Sequence, residues 1–189
     1  WEATHWLGVP ILKLPFDLQI YQEIIFETRP DVIIDSGTYH GGSAYYFASI
    51  FDLVARGRVI TIDIEKMSGR PNHPRITYLL GSSTSDEITS QIQSLIVPGE
   101  RVMVVLDSDH HQKHVARELE RYASLVTVGN YLVVEDTNIN GRPVYPEFGP
   151  GPGEAVDAFM QGNTQFERDA SREKFGLTFS PGGYLKRVR

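Results

Sequence analysis

The 189-residue chain contains no cysteine. Disulfides, thiol nucleophiles and cysteine-based zinc sites are thereby excluded. Long apolar runs are also missing, and none approaches the ~20 residues of a membrane-spanning helix. No signal peptide is recognisable, so a cytoplasmic protein with no membrane partner is expected. The chain starts at Trp1 rather than Met, which leaves open whether an N-terminal segment is missing. Positive charge is scarce: 18 Lys and Arg stand against 24 Asp and Glu, for a net charge of -6. That balance argues against nucleic acid as a partner, since such binding rests on phosphate neutralisation. Internal repeats and low-complexity tracts are absent. What is present, 41% hydrophobic and 22% charged residues, suits one well-buried α/β domain over residues 1–189 and leaves little room for a second.

Within that length, strand-like and helix-like patterns alternate. Short apolar runs lie at Val32–Asp35, Arg58–Ile64, Arg75–Gly81, Arg101–Asp107 and Asn130–Asp136. Runs of this kind, bounded by polar ends, suit parallel strands buried on both faces. Between them, Gly42–Ala55, Ser85–Ile96 and His111–Leu125 are long enough for crossover helices, with Glu118 and Arg121 on a solvated face. At the N-terminus "DLQIYQEIIFETRP" reads as an amphipathic helix with Asp17 as its cap and Pro30 beyond its end. The alternation stops after Asp136. A short helix from about Glu154 and two strands, "TQFERD" and "GGYLKRVR", complete the chain. The linker between those strands is too short for a helical crossover, so they form an antiparallel hairpin at the sheet edge. The pattern predicts an α/β, doubly wound, Rossmann-like and mostly parallel seven-stranded sheet. Residues 1–30 are expected to form a lid or helix segment on this core.

In such a sheet, ligands sit outside the carboxyl ends of the strands. The first strand ends in "DSGTYHGGS". Gly37 allows a sharp turn, Gly41 and Gly42 allow close approach of a ligand to the backbone, and the helix start offers free N–H groups. A phosphate-binding loop would need Lys-Ser/Thr after its last glycine, where Ser43 and Ala44 stand, and a GxGxxG fingerprint is absent. A nucleoside cofactor with an amino-acid end fits better, since Asp35 can accept from an ammonium. Asp63, at the tip of the next strand, is placed for ribose hydroxyls. Ser83, after the third strand, is placed for either an adenine edge or a helix cap.

The fourth and fifth strands end in acids, Asp107 and Glu135-Asp136. As neighbours in this topology their carboxylates meet at one rim, and an uncompensated cluster of that kind usually holds a cation or a shifted proton. Oxygen ligands without cysteine suit a hard ion such as Mg²⁺. "DHHQKH" lies beside Asp107, but the zincin pattern HExxH is not formed. His110 faces the same rim and is the candidate proton acceptor. His111 and His114 are read as surface residues.

Five segments in register, "VIIDSGTYHGGSAYYFA", "VITIDIE", "LLGSS", "VVLDSDHH" and "VVEDT", resemble class I S-adenosylmethionine-dependent methyltransferases. The nearer resemblance, over almost the whole chain, is to the cephalosporin hydroxylase or rhamnosyl O-methyltransferase family. The strand ends are also similar to catechol O-methyltransferase, a magnesium enzyme. The resemblance implies that Asp35 and Ser43 bind the methionine end of S-adenosylmethionine, with Gly37 and Tyr39 shaping the turn. It implies Asp63 on the ribose, Ser83 by the adenine, and Asp107, Glu135 and Asp136 on Mg²⁺, with Asp107 also at the cofactor and among the catalytic groups. His110 stands where the catechol enzyme has a lysine base. The reaction implied is methyl transfer to a hydroxyl of a sugar or other secondary metabolite, by a homo-oligomer, with Trp6, Tyr21 and the 138–151 loop as acceptor walls. Two rivals are weaker. An iron oxygenase would need an HxD or HxE pair, which the chain lacks. A non-catalytic cofactor-binding partner would share the fold without turnover.

Overall fold

The structure, a computed structural model, describes residues 3–189. A two-stranded ribbon, β1 (His5–Trp6) and β2 (Val9–Pro10), leads into helix α1 (Pro15–Thr28). The chain then alternates through β3 (Val32–Ser36), α2 (Gly42–Leu53), β4 (Arg58–Asp63), β5 (Ile76–Leu80), α3 (Asp86–Leu95), β6 (Val102–Leu106), α4 (Gln112–Tyr122) and β7 (Tyr131–Val134). Helix α5 (Pro152–Met160) and strands β8 (Phe166–Arg168) and β9 (Tyr184–Arg187) follow.

The strands form a seven-stranded sheet in the order β5-β4-β3-β6-β7-β9-β8. The first five are parallel, and β9 pairs antiparallel with both β7 and β8. The chain enters at β3, builds outward to β5 on one side, and returns to β6 on the other. The reversal between β3 and β6 opens a crevice at their carboxyl ends, where this architecture places ligands. Period-two alternation divides the core. Val32 and Ile34 of β3 face α3, α4 and α5, while Ile33 faces α1 and α2. The β-branched runs suit this position because every residue from Val32 to Ser36 is buried.

The doubly wound sheet with antiparallel strands at its C-terminal edge is as expected. Two local readings are corrected. Asp17 is not a cap: it lies inside α1, 2% exposed, and accepts from Thr178 Oγ1 (2.6 Å), Phe179 N (2.9 Å) and the Tyr184 hydroxyl (2.9 Å). A buried carboxylate needs such donors, and these tie the 169–183 connection to α1. Glu118 is fully buried rather than solvated and accepts from Ser108 Oγ at 2.8 Å. The ribbon's strands are two residues each, too short to show a period.

Candidate active site

A cleft of about 780 Å³ opens at the carboxyl ends of the parallel strands, within the ~300–1,000 Å³ usual for small-molecule sites. One wall is the glycine turn. Gly37 has φ +93°, and a Cβ there would sit 1.8 Å from the Asp107 carbonyl oxygen, so no side chain fits. Tyr39 is left-handed at φ 48°. Its N–H donates to Asp63 Oδ2 at 2.7 Å, and Arg70 donates to the same oxygen at 2.9 Å and to the Tyr39 carbonyl at 2.7 Å. Asp63 thus lines the cleft, but with its carboxylate already engaged by the turn and by Arg70.

Behind this wall Asp35 is 0% exposed and reaches the cleft only through Ser43. Its Oδ2 accepts from Ser43 Oγ and Thr61 Oγ1, both at 2.9 Å, while Oδ1 has no partner among the described residues. Burial pushes its pKa up to about 6, against the opposing pull of Lys13. Gly41 caps α2 from outside the lining, and Gly42 and Ser43 face the cleft. A Cβ on Gly42 would lie 2.1 Å from the Pro10 carbonyl, so a glycine here lets the N-terminal strap cross. That strap contributes Pro10 to Lys13 as a second wall.

At the far end of β5, Ser83 lines the cleft, with its Oγ 3.1 Å from His114 Nε2. His114 is not a free surface residue. Its Nε2 also lies 3.2 Å from Ser108 Oγ, and the Glu118 carboxylate holds its pKa above the ordinary imidazole range. His111 is exposed, as expected.

The opposite wall carries the acids. Asp107, His110 and Asp136 each present one ligand atom within 4.8 Å of the others. His110 Nε2 is 3.0 Å from Asp136 Oδ2 and 3.4 Å from Asp107 Oδ1. Despite that proximity it makes no well-angled hydrogen bond and is an orphaned buried atom. Two carboxylates and one imidazole nitrogen gathered within this span are a group that could hold a cation. Burial disfavours the imidazolium, yet Asp107 and Asp136 outweigh it and push the His110 pKa up to about 10.

Glu135 was expected beside these groups. The structure instead turns it inward, where it accepts from Lys13 Nζ at 2.6 Å and from the Tyr21 hydroxyl. Glu135 continues the alternation of Tyr131 and Val133 toward α1, whereas β7 has ended by Asp136, where the backbone turns left-handed at φ 51°. Lys13 also donates to Asp107 Oδ2 at 2.9 Å. Tyr21 is sealed in the core, and Trp6 packs edge-on against Tyr46 away from the cleft. Of the expected acceptor walls only the loop is in place: Ile139, Tyr145 and Phe148 form a small niche with His110 and Asp136.

The family model for rhamnosyl O-methyltransferase/CmcI matches residues 1–188. The chain belongs to this family. Among relatives, the rhamnosyl O-methyltransferase of Mycobacterium tuberculosis is 41% identical over 195 residues, covering 99% of this chain and 79% of the relative. That of Mycobacterium leprae is 40% identical, covering 99% and 84%. A solved structure of CmcI with Mg and SAM superposes with a TM-score of 0.75 at 22% identity, over 100% of this chain and 78% of that one. The family places the chain among the class I O-methyltransferases, in agreement with its sheet order.

Sequence reasoning missed Lys13, Arg70 and the role of His114. For Lys13 a signal exists: a lone charge inside the apolar run "ILKL" is rarely buried without a partner. For His114 the signal was its i,i+4 spacing from Glu118; Arg70 pairs with Asp63 seven residues back, through a loop whose path no periodicity gives.

Proposed function

We propose that this chain transfers a methyl group from S-adenosylmethionine to a hydroxyl of a sugar or other small natural product, at a rim that holds a divalent cation such as Mg²⁺. The observation that carries this reading is a glycine-lined nucleoside-sized cleft that runs into the converging Asp107, His110 and Asp136. When bound, S-adenosylmethionine supplies an electrophilic methyl and the cation supplies Lewis-acid activation of the acceptor hydroxyl.

The remaining work belongs to the chain. Ser43, fixed by buried Asp35, and the free N–H groups opening α2 receive the polar methionine end. Asp63 is available to ribose hydroxyls through exchange with Arg70, and Ser83 with His114 borders the adenine. Asp107 and Asp136 would hold the cation, whose charge would replace the proton that these carboxylates keep on His110 without it, and His110, then neutral and on the niche side, would take the proton from the acceptor hydroxyl. Ile139, Tyr145 and Phe148 offer an apolar face to the acceptor and exclude water from the junction. Holding donor and acceptor in line is the larger share of the catalytic effect, because the sulfonium is already a reactive methyl donor.

The test uses labelled S-adenosylmethionine, Mg²⁺ and rhamnosides, with mass spectrometry of the acceptor. A gain of one labelled methyl group that disappears with chelator is expected. Cofactor binding with no methyl transferred to any glycoside would refute the proposed acceptor class, and 2-oxoglutarate-dependent oxidation would refute the reaction.

A further inference from the structure

Helix α4 carries His114, Glu118 and Tyr122 at i, i+4 and i+8, and so on one face. That face meets the loop after β5 at Ser83, which lines the cleft and is 5% exposed. The Tyr122 hydroxyl donates to the Ser83 carbonyl at 2.6 Å, and His114 Nε2 lies 3.1 Å from the Ser83 hydroxyl. One helix thus holds both the carbonyl and the hydroxyl of a single serine. Beside His114 stands Glu118, a carboxylate with no exposure to solvent.

The direction of the hydrogen bonds follows from counting protons. Ser108 Oγ has one hydrogen and gives it to Glu118 Oε1 at 2.8 Å. At its other contact, His114 Nε2 at 3.2 Å, Ser108 is left to accept, so Nε2 carries the hydrogen. The Glu118 carboxylate favours a protonated ring, which agrees. Asp109 Oδ2 is 3.9 Å from Nδ1, outside hydrogen-bond reach, and does not set the tautomer. A protonated Nε2 cannot accept. The Ser83 hydroxyl therefore accepts from that nitrogen, and its own hydrogen has no acceptor among the described residues. An unmet buried donor is costly, and the cleft is where this one can be met.

We propose that the relay Glu118–Ser108–His114 fixes the Ser83 hydroxyl as a donor into the cleft, where it selects a purine by one ring nitrogen. This rests on reading the cleft as the S-adenosylmethionine site, as above. A ring nitrogen offers the lone pair that the hydroxyl hydrogen needs, whereas the exocyclic amine of adenine brings hydrogens of its own. His114 and Glu118 act through Ser83 and are positioning residues.

The experiment is calorimetric titration of the full chain with S-adenosylhomocysteine, the demethylated cofactor, and with analogues in which N1, N3 or N7 of the purine is replaced by C–H. Wild type is expected to bind one analogue about tenfold more weakly than the parent, the effect of one lost hydrogen bond. Ser83→Ala should close that gap by weakening the parent alone. His114→Leu and Glu118→Leu should each narrow it by about threefold or more. A residue that only supports the fold would change parent and analogue together and leave their ratio as it was. No gap in wild type, a gap that survives Ser83→Ala, or an unchanged ratio in His114→Leu or Glu118→Leu overturns the proposal and leaves the cofactor reading standing. Should the helix variants not fold, side-chain nitrogen NMR of His114 in the wild type decides. A protonated Nε2 supports the relay, and a bare Nε2 overturns it. No binding of S-adenosylhomocysteine by wild type refutes the cofactor reading and this proposal with it.

Discussion

On the β3–β5 side of the cleft, the groups that face a ligand are mostly backbone, hydroxyls and one engaged carboxylate, with Asp63 and Ser43 fixed by neighbours on the same side and Ser83 met by His114 of α4. On the β6–β7 side they are charged, and they are held by groups from far away in the chain, with Lys13 separated from Glu135 by 122 positions. The first wall is preorganised by turn geometry, so its shape does not depend on what is bound. The second is a set of carboxylates gathered around an imidazole and an ammonium, so its arrangement depends on that balance of charge. A cofactor wall of the first kind suits a constant ligand. An acid wall of the second kind suits a site whose charge must change during a reaction.

The two walls meet where Gly37 passes the Asp107 carbonyl, and that contact is the sharpest place to break the contrast. Gly37→Ala puts a Cβ 1.8 Å from that oxygen and strains a φ of +93°. A loss of more than about 4 kcal/mol is expected in denaturant unfolding, together with loss of both S-adenosylmethionine and Mg²⁺ binding. Retention of either ligand at full affinity would show that the walls are less interlocked than the contact implies.

His110→Ala is expected to reach one wall only. Turnover should fall by roughly 10²–10⁴, with S-adenosylmethionine affinity near wild type by calorimetry. An equal fall in cofactor affinity would erase the division of labour.

Asp35→Asn probes the charge buried behind the neutral wall. The folded-state pKa of Asp35 is raised from 3.8 to about 6, so the folded chain binds its proton more tightly than the unfolded chain. That contribution is fully present below about pH 4 and is lost as pH rises to about 6, worth roughly 3 kcal/mol. In urea unfolding across this window, wild type should lose that stability relative to Asp35→Asn. Parallel curves for the two proteins would contradict the assignment.

The smallest effect is expected at the niche. Tyr145 is 63% exposed, so Tyr145→Ala should change stability by no more than about 0.5 kcal/mol. The acceptor KM should nevertheless rise several-fold in steady-state assays, with the KM for S-adenosylmethionine unchanged. An unchanged acceptor KM would remove the niche from substrate binding.

The residues that could be read in advance share a feature: each is fixed by its own strand end. Asp63, Ser83, Asp107 and Asp136 follow apolar runs, and an apolar run in a parallel sheet delivers the polar residues after it to one rim. Gly37 was legible because a turn that sharp requires it, at φ +93°; Gly41 was read as ligand-facing, but it faces Pro71 and Tyr78 instead. The orientation of Glu135 was misread because a run of two acids was treated as one ligand pair, although side chains alternate across a strand. Asp17 and Glu118 were misread as cap and surface because helix position says nothing about what later packs on the other side.

The sequence by itself determined the sheet, the glycine turn and the acids at its edge, because strand period, turn chemistry and chain order are local properties. Only the tertiary structure decided that Lys13 joins Asp107 to Glu135, that Arg70 occupies Asp63, and that Asp35 lies beneath the cleft rather than in it. Those facts depend on how distant segments share one buried space. Burial makes an unpartnered charge costly there, but it does not say from which part of the chain the partner will come.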